Sequence, residues 1–83
     1  MNIVETILYD DDVYECDSEL ASDILNELAE DAYYYVYEND NLRSEFDDMN
    51  DDINHTSIGE FIWYCHWNDF IDYIRNKYRN VTW

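Results

Sequence analysis

The chain contains no proline and a single glycine, Gly59, in 83 residues. A turn-rich β-sandwich needs both residue types at its many chain reversals, so that architecture is disfavoured and helices are favoured. Positive charge is almost as scarce, with four Lys and Arg in total. Three of these, Arg75, Lys77 and Arg79, gather at the end of the last predicted helix, where cations complement the helix dipole. Only Arg43 is then left, too little to build an anion site. The two cysteines, Cys16 and Cys65, form no spaced cluster and read as reduced cytosolic thiols. No apolar run approaches the roughly 18–20 residues of a membrane span. The opening MNIVETILYDDD lacks the positive region and long apolar stretch of a secretory signal. The expectation is a cytoplasmic protein that does not enter a membrane.

What the chain has in excess is acid. Twenty-one Asp and Glu leave a net charge of −17. Self-repulsion of that size works against a compact state. The same field repels nucleic acid and anionic membrane, and it steers basic partners in quickly. Apolar residues are nonetheless 47% of the chain, 18% being aromatic, which is enough for a core. A chain of this length forms one domain and buries about 60–65% of the surface its unfolded form exposes.

The organising stretch is Ser18–Glu38, SELASDILNELAEDAYYYVYE. Leu20, Ala21, Ile24, Leu25, Leu28, Ala32, Tyr35 and Val36 share one side of a helix of about six turns. The opposite side carries Glu19, Asp23, Asn26, Glu27 and Glu30, then Tyr33, Tyr34 and Tyr37. One face needs a core. The other is an acidic strip with three aromatic rings set into it. Asp17 or Ser18 caps its start, and Asn39-Asp40 gives it a soft end.

Upstream, Ile3, Val4, Ile7 and Leu8 fit a short helix or one arm of a hairpin with Val13 and Tyr14. The reading here is a helix, then an extended Asp12–Cys16. Downstream, Leu42, Phe46, Met49 and Ile53 make a narrow apolar stripe over Asn41–Ile53. Asp47, Asp48, Asp51 and Asp52 lie away from that stripe, so packing turns these carboxylates outward. Ser57-Ile58-Gly59-Glu60 is a capping box opening a helix to about Arg79, with a break suggested at Asn68. Trp63, Trp67, Phe70, Ile71, Ile74 and Tyr78 form its broad face. The expected fold is mostly α: a small bundle of three to four helices. The Ser18–Glu38 and Ser57–Arg79 helices pack antiparallel, and Asn41–Ile53 covers one side.

Chemistry finds little footing. Asp48-x-Asn50-x-Asp52 opens like a calcium loop, but Ile53 stands where Gly is needed and Gly59 where a bidentate Glu is needed. Cys65-His66 with His55 or Cys16 has no zinc spacing. As a nucleophile and base, Cys65 and His66 are adjacent on a helix and do not face each other. No phosphate-binding glycine loop or hydrolase elbow is present. The expectation is a protein with no cofactor that is not an enzyme.

The acidic run DDMNDD (Asp47 to Asp52) and the stretch EDAYYYVYEND (Glu30 to Asp40), with the small size and −17 charge, carry a resemblance. The chain resembles the DNA-mimic anti-restriction and anti-CRISPR inhibitors of phages and mobile elements. The resemblance is one of composition over the whole chain. It implies stoichiometric blocking of a basic nucleic-acid-binding protein of the host, with no nucleic acid bound directly. The residues expected to meet the partner are Asp23, Glu27, Glu30, Tyr33, Tyr34, Tyr37, Asp47, Asp48, Asp51 and Asp52. An immunity protein or antitoxin neutralising a basic nuclease is the alternative. A third reading is a module that dimerises through Trp63, Trp67 and Phe70.

Overall fold

A computed structural model describes residues 3–50 and 57–79. Helix α1 is Ile3–Tyr9, followed by a 3-10 turn at Asp11–Glu15; α2 is Ser18–Glu27, α3 Ala29–Tyr37, α4 Asp40–Asn50, α5 Ile58–Cys65 and α6 Trp67–Arg79. No strand occurs among the described residues. The mostly helical expectation holds, but the described residues form six helices rather than three to four, because each long predicted helix is broken once.

The break at His66 has a cause in the sequence. At about 100° per residue, Phe61 and Ile62 point roughly opposite to Phe70, Ile71 and Ile74 on an unbroken helix. All five are fully buried. The chain leaves helical geometry at His66 (φ −140°, ψ 24°), so both apolar faces meet one core. The break thus falls two residues before the expected Asn68, and Cys65, expected on an apolar side, is exposed. The break at Leu28 (φ −109°, ψ 32°) is different. There the apolar face runs through in phase, and flanking bonds survive: Leu28 donates to Ile24 at 2.9 Å and Ala32 donates to Leu28 at 2.9 Å. The bend lets α2 lie on α5 while α3 reaches α4, α5 and α6.

The caps explain where elements start. Asp17 Oδ1 accepts the Leu20 N–H at 2.9 Å, and Ser57 Oγ accepts the Glu60 N–H at 3.1 Å. α3 ends at Tyr37, just ahead of Asn39-Asp40 as expected, and Asn39 also caps α4: its Oδ1 accepts from Asn41 at 3.1 Å and from Leu42 at 3.3 Å. Asp10 accepts the Asp12 N–H at 2.9 Å and tightens the next residues into the 3-10 turn, in place of the expected extended segment.

Packing follows aromatic pairs. Tyr35 meets Phe70 at 5.5 Å and Tyr73 at 5.0 Å, and Asp31 near the start of α3 meets Lys77 and Tyr78 near the end of α6. α3 and α6 are therefore antiparallel, as expected. Phe46 of α4 packs between Tyr37, at 6.3 Å, and Phe61, at 5.3 Å. Leu42 and Phe46 are buried, as the α4 stripe requires. α1 lies on α6, and Trp67 Nε1 donates to the Val13 carbonyl at 2.8 Å, pinning the 3-10 turn.

Gly59 sits near the start of α5 in an ordinary backbone conformation. A Cβ there would meet Leu25 Cδ1 at 3.6 Å, a normal contact. Gly59→Ala is expected to stabilise by about 0.5 kcal/mol, raising Tm by about 2–4 °C. A lower Tm by calorimetry would show that the α2–α5 seam is tighter than the contact distance implies.

Candidate partner-binding surface

The polar strip of the organising stretch is built as two pieces across the Leu28 bend. On α2, Glu19, Asp23 and Glu27 recur every four residues and form a carboxylate row at about 6 Å per step along the axis. On α3, Glu30 lies one turn before Tyr33 and Tyr34. All of these acids are exposed. Tyr33 and Tyr34 are 49% and 42% exposed, with their rings edge-on at 5.6 Å.

Tyr37 has a different role from its two neighbours. It is half-buried, its ring tilted against that of Tyr33 at 4.5 Å, and it bridges to Phe46. The Arg43 guanidinium covers its ring at 5.8 Å. Asp47 lies one turn beyond Arg43 on α4, so the strip continues from α3 onto α4 through this ring and cation. Asp47 and Asp48 are exposed, in keeping with their position off the Leu42–Phe46 stripe. Asp51 and Asp52 lie outside the described residues.

Three of the four Lys and Arg side chains make contacts within the chain, although Arg43 and Lys77 stay exposed. Arg43 covers Tyr37. Arg75 Nε donates to the Ile7 carbonyl at 2.6 Å, and Nη2 donates to the Asp10 carbonyl at 3.2 Å and to Asp11 Oδ1 at 3.1 Å. Lys77 donates to Asp31 Oδ1, and Tyr78 donates to Asp31 Oδ2 at 2.7 Å. Arg75 and Lys77 thus tie α6 to α1 and α3, where the sequence assigns them to the dipole of their own helix. Asp31 is 8% exposed, whereas the other eighteen described carboxylates are exposed. The hydrogen bond from Lys77 to Asp31 holds the ammonium above its usual range, and the bond from Tyr78 does the same for that phenol.

A second surface lies on other elements. An open groove of about 540 Å³ runs between the 3-10 turn and the α5–α6 junction. Its walls include Cys16, Trp63, Tyr64, Cys65, His66 and Trp67. Tyr64 is 75% exposed, and the Trp63 and Trp67 rings meet edge-to-face at 5.0 Å. His66 Nε2 is held by Glu45 at 2.9 Å. Burial pushes the Cys16 thiol up, and the neighbouring Asp17 adds to the shift, which lowers its thiolate fraction. Trp67 and Phe70, two of the three residues of the sequence-derived dimer face, are buried within one chain. Sequence reasoning missed Tyr64, although the signal is there: facing Phe61 and Ile62 inward turns Tyr64 outward.

No helix among the described residues is long and apolar enough to cross a membrane. The chain matches no protein-family model, and no curated protein and no solved structure is significantly similar to it.

Proposed function

We propose that this protein is a nucleic-acid mimic that occupies the DNA- or RNA-binding site of a basic host defence protein, of restriction or CRISPR type, in the host cytoplasm. It acts by stoichiometric blocking, with no cofactor and no catalysis. The observation that supports this is the disposition of charge: eighteen of nineteen described carboxylates face solvent, while three of the four Lys and Arg make contacts within the chain. The body is 42 Å long. Duplex DNA of that length carries about 25 charges at one per 1.7 Å. The net charge of −17 is about two thirds of that figure. Exposed carboxylates accept from Lys and Arg as phosphates do, and Tyr33 and Tyr34 offer faces for guanidinium stacking.

The test is capture from host lysate with tagged protein, washed at low and then high salt. A nucleic-acid-binding protein released by salt and displaced by duplex DNA or RNA supports mimicry. A single basic nuclease retained through the high-salt wash favours the immunity or antitoxin reading instead. Converting Asp47, Asp48, Asp51 and Asp52 to Asn is expected to weaken capture about 30-fold, at about 0.5 kcal/mol per charge, while raising Tm through relief of repulsion. A fall in Tm would mean that these carboxylates serve the fold.

A further inference from the structure

We propose that the groove beside the α5–α6 junction seats an arginine side chain from a basic, extended segment of the partner. This rests on the reading above and adds a second contact face to it, on elements that the α2–α4 strip does not use. Its lining includes the rings of Trp63, Tyr64 and Trp67, of which Tyr64 is the most exposed. The lining also includes the exposed residues Glu15 and Asp69, the Asp69 carboxylate lying 4.0 Å from His66 Nδ1. No lysine or arginine among the described residues lines the groove. A planar guanidinium matches this combination, stacking on a ring while donating to carboxylates in its own plane. A lysine ammonium fits less well, being a compact and strongly hydrated point charge.

The molecule already uses this pairing with its own Arg75. Arg75 lies over the Tyr14 ring at 4.8 Å while donating to Asp11, and Arg43 lies over Tyr37. Tyr14 also lines the groove, but one face of its ring is taken by Arg75 and its hydroxyl donates to Asp72 at 2.5 Å. Tyr64 has neither engagement and is left as the open ring. The groove is held in shape from both sides. The Trp67 indole bonds the 3-10 turn, and His66 is anchored to Glu45 on α4. The site therefore exists before a partner arrives, which lowers the ordering cost of binding.

The experiment is an NMR titration of isotopically labelled full chain at physiological salt, which screens diffuse attraction. The probe is a blocked peptide alternating Gly and Arg, with lysine and citrulline versions as comparisons. Citrulline keeps the planar shape without the charge. Saturable shifts confined to the Trp63 indole and the Tyr64 and Asp69 amides are expected, about three- to fivefold tighter for Arg than for Lys and absent for citrulline. Tyr64→Ala is expected to weaken binding about three- to fivefold. Glu15→Gln with Asp69→Asn is expected to weaken it about tenfold, each charge giving about a threefold loss. These three side chains are exposed, so the variants keep the fold. Tyr33→Ala, on the other face, leaves the titration unchanged. Shifts spread evenly over the acidic surface, equal response to lysine, or response to citrulline would each overturn the proposal. Because the probe is a peptide, failure here leaves the mimic reading standing. Failure of nucleic acid to displace the captured protein would overturn that reading and leave the groove.

Discussion

Arg75→Met is expected to lower folding stability by about 3–4 kcal/mol. The side chain is 14% exposed and makes three hydrogen bonds, two of them to backbone carbonyls, Ile7 in the last turn of α1 and Asp10 just beyond it. A helix end leaves its last carbonyls without intrahelical partners, and here the Thr6 carbonyl is taken locally, by the Asp10 N–H at 2.9 Å. Arg75 takes the Ile7 carbonyl, and just beyond the helix it shares the Asp10 carbonyl with the Val13 N–H at 3.3 Å, so it supplies a C-terminal cap from another helix. Hydrogen bonds from a charged group contribute about 1.5–3 kcal/mol, and a stranded buried carbonyl adds a desolvation penalty of about 1–3 kcal/mol. Methionine keeps the aliphatic stem, so the change reports the guanidinium. An 83-residue domain has about 4–12 kcal/mol in total, at about 0.05–0.15 per residue. The variant should sit close to the unfolding threshold, and α1 should lose its amide protection first. Urea melts and hydrogen exchange read both effects. Arg75→Lys should recover only part, because a point charge cannot serve three acceptors held in a fork geometry. A urea midpoint within about 0.5 M of the parent would show that α1 is held by Ile7 packing alone.

The elements that carry a local signal are legible in the sequence. Apolar spacing locates α2 through α4, and Asp17 and Ser57 mark starts that the hydrogen bonds bear out. The outward placement of Asp23, Glu27, Glu30, Asp47 and Asp48 follows from their positions opposite the apolar stripes. The break at His66 is also present, as a phase reversal between Phe61-Ile62 and Phe70-Ile71-Ile74, although Asn68 is the more conspicuous residue. The break at Leu28 has no such marker, since neither proline nor glycine nor a change of phase announces it. Asp31 is the clearest sign that sequence reasoning passes over. It shares the spacing of Ile24, Leu28 and Tyr35, so an acid stands on the core-facing stripe and requires a buried partner. Its partners lie 46 and 47 residues away, where local reasoning does not reach. Arg75 and Lys77 follow the same pattern: their charge suits the dipole of α6, and only the tertiary arrangement shows them reaching α1 and α3. Tyr37 belongs to the strip, yet its ring is shared with Phe46 and Arg43, a division that periodicity does not resolve.

Raising pH is expected to unfold the protein cooperatively between about pH 10 and 12, without help from denaturant. Burial pushes the Tyr35 phenol up to about 12, with Asp69 and Asp72 adding to the shift. Burial raises Tyr73. Hydrogen bonds to Asp72 and Asp31 raise Tyr14 and Tyr78, and the bond to Asp31 raises Lys77. Every one of these folded-state values lies above its unfolded value, so the folded chain holds protons that the unfolded chain has released. Stability from these groups is complete below about pH 10 and is lost as pH rises through the folded values. Ionising Tyr35 within the fold costs on the order of 1–2 kcal/mol after allowance for solvent screening, a loss felt only at high pH. The loss compounds, because each of nine tyrosines that ionises adds a negative charge to a chain already at −17. Tyrosinate absorbance and far-ultraviolet circular dichroism should change together in one transition. Added salt should move its midpoint up by screening the repulsion, but should leave the burial component of Tyr35 in place. Tyr35→Phe removes that component and keeps the ring against Phe70 and Tyr73. Its alkaline midpoint should rise while its neutral-pH stability stays within about 0.5 kcal/mol. Tyrosines that titrate independently near their ordinary value, with helical signal intact, would show that the aromatic seam between α3 and α6 opens to water without unfolding the chain.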